Sequence, residues 1–179
     1  MSLSLLREFC AENFTDVPAA IEAGADRIEL CDNLAVGGTT PSAGVIGAAT
    51  VYAHEHGARV MTMIRPRGGD FVYGPAELQM MQSDIETACR LGTDGIVFGC
   101  LERREHGFWL DLSAIEALVA RVRWMQDQRD WSGVPREFDR EDQRIDITFH
   151  MAFDELAPED QFEAIDVLVK MGVTRILTH

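Results

Sequence analysis

The stretch Val60-Met61-Thr62-Met63-Ile64-Arg65-Pro66-Arg67-Gly68-Gly69-Asp70-Phe71 decides the fold. Its first five residues form an apolar run that reads as a buried strand. Where that strand ends, the chain places two arginines, a proline, two glycines and an aspartate. Arg is the side chain best suited to bidentate recognition of carboxylate or phosphate. Pro66 fixes its φ, and Gly68 and Gly69 permit backbone angles that other residues avoid. A charged, shaped loop at the carboxyl end of a buried strand is where α/β proteins hold their ligands. A plain turn whose arginines are solvated or pair with Asp70 has the same composition, so the flanking sequence must decide.

The flanks alternate strand-like and helix-like segments. Strands are expected near 5–10, 26–31, 59–65, 95–100, 145–150 and 174–178. Helices are expected over 16–24, 45–56, 75–91, 111–125 and 158–171, the first with Thr15 as its cap and Pro18 in its first turn. Gly57, Gly92 and Gly172 follow three of these helices as stops. Short links between alternating strands and helices imply right-handed βαβ units and a parallel sheet, either a (β/α) barrel or an open doubly wound sheet. No GxGxxG follows the first strand, so a Rossmann reading and a nucleotide cofactor have little support. The expected fold class is α/β, a TIM-like barrel that is incomplete, with about six βα units where about eight close such a barrel. Roughly two further units are expected beyond His179.

With 179 residues, 46% of them apolar and 26% charged, the chain reads as one soluble domain spanning 1–179. The net charge of −14, from 16 basic and 30 acidic residues, argues against nucleic acid as a partner. A few arginines can still build a local anion site. No run is long and apolar enough for a membrane span, and the N-terminus has no basic leader. The four cysteines, Cys10, Cys31, Cys89 and Cys100, form no CxxC pair or zinc spacing, so free thiols in a reducing cytoplasm are the expectation. Residues 126–144 are dense in charge and read as a surface insertion. Trp131 and Phe138 are placed to pin it to the barrel or to a partner subunit, and a homo-oligomer is expected.

Two strands repeat a small pattern, Glu8-Phe9-Cys10 and Glu29-Leu30-Cys31. Side chains alternate along a strand, so Glu8 shares a face with Cys10, and Glu29 with Cys31. Pairing in register would aim both sets into the barrel near its C-terminal mouth. Buried carboxylates without partners are costly, and Arg65 is the expected counter-charge. Its parity matches Met61 and Met63. His150 and Asp154 add polar groups at another strand end. Packing alone accounts for buried cysteines in many proteins, a strand-end His can cap backbone, and Glu29 can pair with Arg27 if the parity is reversed. Several strand ends carrying Glu, Arg, His and Asp together favour a site.

The segments Ala25–Cys31, Gly37–Ser42, Ile64–Tyr73, Thr148–Asp154 and Arg175–Thr178 resemble the CutC family. The resemblance covers the chain outside 126–144 and is most specific in Ile64–Tyr73. It implies a TIM-like barrel, a cytoplasmic copper homeostasis protein, and Cu(I) binding through cysteines, which here are Cys10 and Cys31. It also implies that the last part of the barrel lies outside this chain. One position departs: the family pattern has Arg where this chain has Met151.

Two functions follow. In the first, thiolates suit Cu(I), and two cysteines on adjacent strand ends give a linear copper site. In the second, the chain is a barrel enzyme acting on a small anionic substrate at the mouth of the strands. Glu8, Glu29, His150 and Asp154 would then supply proton transfer, with Arg65, Arg67 and Asp70 holding the anion. A barrel that senses a ligand without turnover shares that pocket.

Overall fold

The computed structural model describes residues 5–129 and 144–178. The elements are β1 (Glu8–Glu12), α1 (Val17–Glu22), β2 (Arg27–Cys31), α2 (Ala43–Glu55), β3 (Arg59–Met63), α3 (Pro75–Arg90), β4 (Gly95–Phe98), β5 (Leu101–Arg104), β6 (Gly107–Leu110), α4 (Leu112–Gln128), β7 (Asp146–Phe149), α5 (Gln161–Lys170) and β8 (Arg175–Ile176). Six strands lie side by side in the order β1-β2-β3-β4-β7-β8, and each neighbouring pair is parallel. This is the incomplete barrel expected from the alternation of segments.

Strand parity separates two environments. Ile28, Leu30, Val60, Ile96 and Ile147 face outward and meet Ile46 and Ala49 of α2, Ile85 of α3, and Ile115 and Leu118 of α4 in the main core. Each of the buried Ile, Leu and Val side chains contributes about 1.5–3 kcal/mol. Ile96, flanked by strands on both sides, is therefore a position where truncation to Ala costs about 2–5 kcal/mol. The inward face holds different chemistry. Cys31, Met61, Met63 and Val97 form a separate, sulfur-rich cluster there.

Local sequence explains where helices begin. The Ser42 hydroxyl accepts from Val45 N at the start of α2. The Asp111 carboxylate accepts from Ala114 N at the start of α4. Both satisfy donors that a helix start leaves open. The expected Thr15 cap is not formed, because α1 begins one residue later and Asp16 occupies that position without a side-chain bond. β1 lies at 8–12 rather than 5–10, since Arg7 N is held by the Asp26 carboxylate and the ladder starts after it.

One element escaped the alternation pattern. β5 and β6 form an antiparallel hairpin with Leu101 opposite Leu110 and Arg104 opposite Gly107. Gly107 takes φ +100, the left-handed region that glycine favours. Arg103 ties the hairpin to the 66–74 loop through Asp70 at 2.6 Å. α4 runs to Gln128, so 126–128 of the expected insertion are helix. Trp131 and Phe138 lie outside the described residues. No helix among the described residues is long and apolar enough to cross a membrane.

Candidate functional site

The register arranges the inward side chains in layers. The first has Glu8 opposite Arg27, and the two form an ion pair with the Arg27 side chain buried. The next runs Cys10, Glu29, Met61, Gly95, Asp146. Above it, Glu12 sits opposite Cys31, and Met63, Val97, Thr148 and Arg175 continue the same step across the other strands. Two residues further on, Arg65, Gly99 and His150 occupy the strand ends. The bonds Ile64 N to Val97 O and His150 N to Phe98 O carry the ladder up to them.

Cys10 and Cys31 are brought together, with their sulfurs 3.9 Å apart. Glu29 joins them, and the ligand atoms of all three lie within 4.8 Å of one another. The donor set suits a soft monovalent metal, because two thiols dominate it. With metal–sulfur bonds of about 2.3 Å, a 3.9 Å separation subtends about 116° at the metal. That is a bent or trigonal angle with room for a third ligand, rather than the linear bridge expected from the sequence. The Cys31 thiol is pushed well up, first by its hydrogen bond with Cys10, then by burial and the Glu29 charge, against the opposing charge of Arg65.

The same register disfavours a disulfide. Cys10 stands opposite Glu29 and Cys31 opposite Glu12, so the cysteines are diagonal neighbours. A strand spacing of about 4.8 Å and two rises of about 3.3 Å put their Cα atoms about 8 Å apart. A bridge closes only below about 7 Å without backbone movement. Cys89 and Cys100 fit the packing explanation instead: both are buried in the apolar core, and burial pushes the Cys89 thiol up to about 12.

The other expected site residues separate. Glu8 lies at the N-terminal end of the sheet, one layer below Glu29, and Glu29 lies two layers below Arg65 and His150, so the four do not converge at the mouth. Arg65 is buried, but its guanidinium serves backbone. Nη1 donates to Val36 O at 2.7 Å and Gly38 O at 2.9 Å, and Nη2 donates to Gly69 O at 2.8 Å. It organises the loops on either side of the mouth rather than neutralising Glu8. Arg67 is similarly occupied, by Glu77 at 2.5 Å, Asp70 at 3.2 Å and Val72 O at 2.9 Å. The other Asp70 oxygen takes Arg103. A tight Gly-Gly loop turns carbonyls inward, and these arginines supply the donors such carbonyls need. Asp154 is exposed beside β8 and accepts from the Thr178 hydroxyl.

His150 is fully buried at the end of β7. Its Nδ1 accepts from Ala152 N at 3.2 Å, which leaves the proton on Nε2. Burial, and then the charge of Arg65, push its pKa down to about 3, so the ring is neutral. Its ring stacks at a tilt 5.0 Å from Phe71, and the Arg65 guanidinium lies 4.8 Å from the centre of the same Phe71 ring. Gly99 has no side chain for a reason: a Cβ there would meet His150 Cε1 at 2.5 Å. Over Cys31 runs the 33–38 loop. It is held by Arg65 and by the Glu12 carboxylate, which accepts from Leu34 N at 2.8 Å. Gly38, at φ +84, approaches so closely that a Cβ would lie 3.1 Å from Cys31 Sγ. Met151, at the departing position, packs under Gly37 of this loop.

The family model of the CutC family matches residues 5–126 and 134–179. The chain belongs to the CutC family. A CutC family protein of Enterococcus faecalis is 54% identical over 175 residues, which is 98% of this chain and 73% of that one. The human copper homeostasis protein cutC homolog is 36% identical over 173 residues, covering 97% of this chain and 53% of the human protein. A CutC crystal structure from Streptococcus agalactiae superposes with a TM-score of 0.82 at 46% identity, over 98% of this chain and 73% of that one. An archaeal fructose 1,6-bisphosphate aldolase shares only the fold, with a TM-score of 0.56 at 14% identity over 90% of this chain and 53% of the aldolase. Its chemistry says nothing about CutC. Glu12 and Gly99 are site residues that the sequence reading passed over. Glu12 repeats the spacing of Glu8 and Cys10 and was legible by parity, whereas the role of Gly99 needs the His150 ring in place.

Proposed function

We propose that this chain is a cytoplasmic Cu(I)-binding protein of copper homeostasis, with copper as its cargo. The single observation that carries the reading is the Cys10–Cys31 pair, 3.9 Å apart, with the Glu29 carboxylate alongside. Thiolates are soft ligands that select Cu(I) over the harder divalent ions. A third ligand from Glu29 fits the angle that the sulfurs leave open. The diagonal register keeps the thiols available as thiols, which suits a site that must load and release metal. The copper homeostasis name of the human relative agrees with this reading. Free thiols at all four cysteines favour a reducing compartment. A homo-oligomer belongs to the same proposal and is checked by light scattering.

Anaerobic Cu(I) titration against a chromophoric competitor tests the site. The wild-type chain is expected to take up one Cu(I) per chain. Cys31→Ser and Cys10→Ser should each weaken binding by at least about a hundredfold, and Glu29→Gln by about tenfold. Equal stoichiometry and affinity in wild type and Cys31→Ser would assign the thiols to packing and end the copper reading.

A further inference from the structure

The expected anion site at Arg67 and Asp70 is consumed by the loop itself, yet the layer at the mouth retains donors with no acceptor. Arg65 Nε and His150 Nε2 are both buried and lack a hydrogen-bond partner among the described residues, as does the hydroxyl of Tyr73. Arg65 is 2% exposed and His150 0%. All three belong to one neighbourhood. Arg65 and His150 flank Gly99 in the same layer and lie against the same Phe71 ring. Tyr73 lies two residues beyond Phe71, near enough to Arg65 to feel its charge and to interact with its guanidinium as a hydrogen-bond acceptor.

The count of donors is decisive. Arg65 Nε–H, His150 Nε2–H and Tyr73 O–H are three donors, and the Tyr73 oxygen is the acceptor among these atoms. If Tyr73 accepted from Arg65, the His150 N–H and the Tyr73 O–H would still be unmatched. Leaving a buried donor without an acceptor costs about 1–3 kcal/mol. The ordinary alternatives are absent here: the His150 proton cannot move to Nδ1, because that nitrogen already accepts from Ala152 N. Gly99 lets the His150 ring pack directly on the β4 end, where a Cβ would meet Cε1 at 2.5 Å and Nδ1 at 2.6 Å, and this contact fixes the ring with Nε2 turned away from it. An excess of donors around one cation asks for an acceptor that carries negative charge.

We propose that the Arg65–Gly99–His150 layer binds an oxyanion, a carboxylate or phosphate group of a small ligand, through Arg65 Nε–H and His150 Nε2–H. The neutral imidazole donates without adding charge, and Arg65 supplies the single positive charge. Tyr73 O–H is a third donor on the Arg65 side. The donors are sealed from solvent in this conformation. The 33–38 loop and the 66–74 loop, both tied down by Arg65, are therefore the segments that open to admit the ligand. The site lies one layer above Cys31 and two above Cys10, and does not depend on copper.

The experiment uses the metal-free full chain, uniformly labelled with nitrogen-15. Its Arg65 Nε–H and His150 Nε2–H resonances are followed during titration with inorganic phosphate, with acetate and pyruvate, and with chloride at matched ionic strength. Both resonances should move together and saturate with phosphate or with the carboxylates, and stay in place with chloride. Whichever arm saturates identifies the source of the oxyanion. Two substitutions separate the donor from the fold. His150→Asn keeps an acceptor for Ala152 N and removes the Nε2 donor, so it should weaken the anion roughly tenfold to a hundredfold. His150→Gln keeps a donor near Nε2 and should retain affinity within about threefold. Resonances that no anion moves would show that water fills the gap and would overturn the proposal, as would equal anion affinity in wild type and His150→Asn.

Discussion

The two ends of the barrel interior are built on opposite principles. At the N-terminal end, charges are closed on one another. Glu8 pairs with Arg27, whose side chain is buried. Toward the C-terminal mouth, two thiols sit side by side without a bridge, and the buried Arg65 Nε–H and His150 Nε2–H have no hydrogen-bond partner among the described residues. Burying a polar group is costly unless it is bonded, and the lower end meets that requirement internally. The mouth does not, and it is also where loops rather than strands close the structure. On the proposed reading the difference locates function by its cost: the end left unsatisfied is the one that would receive something from outside.

The largest test of this contrast is Arg65→Met. The sequence suggested a counter-ion for two carboxylates, but the structure gives Arg65 three backbone carbonyls on two loops. Stripping a charged donor from buried carbonyls should cost about 4 kcal/mol in urea unfolding. A loss below about 1 kcal/mol would mean that the loops do not depend on it. At the opposite end, Arg27→Met leaves Glu8 without its partner. Glu8 is partly accessible, so about 2–3 kcal/mol is expected, below the range for a fully buried pair. Cu(I) affinity should be unchanged, and a parallel drop in copper binding would erase the distinction between the two ends.

His150 adds a pH test of the mouth. Its folded pKa of about 3 lies below the ordinary value of 6.5. The unfolded chain therefore binds the proton more readily between these values. The stability contribution is fully present above about pH 6.5 and is lost as pH falls toward 3. At pH 5 the loss amounts to about 2 kcal/mol. His150→Asn should flatten the stability profile between pH 7 and pH 5 by about that amount. Superimposable profiles would place the ring in contact with water. The smallest effect is a deliberate absence. Mild diamide treatment of the metal-free protein should leave Cys10 and Cys31 unbridged, because their diagonal register holds the Cα atoms about 8 Å apart. Joint loss of both thiols to alkylation would show that the strands slide.

Much of this molecule was legible in the chain itself. Alternating apolar runs and helical periods placed all six parallel strands to within a few residues, since the period of burial is a local property. The hairpin at 101–110 was missed because its strands are short and half exposed, although Gly107 between apolar ends is a turn signal. The proximity of Cys10 and Cys31 was also within reach, because consecutive strands of a sequential parallel sheet are neighbours and both cysteines share the inward parity.

What the sequence determined by itself was the type of element, the inward parity and the identity of the candidate soft ligands. Tertiary structure alone decided the partners. Register put Glu8 at the closed end and Glu29 beside the thiols, a difference that composition does not contain. Loop closure turned Arg65 and Arg67 from apparent anion binders into supports for carbonyls, because a tight turn exposes backbone acceptors that the nearest arginines must meet. The unmatched donors of Arg65 and His150 became visible only once every neighbour had been counted. Satisfaction of a buried polar group depends on three-dimensional surroundings rather than on any residue's own chemistry.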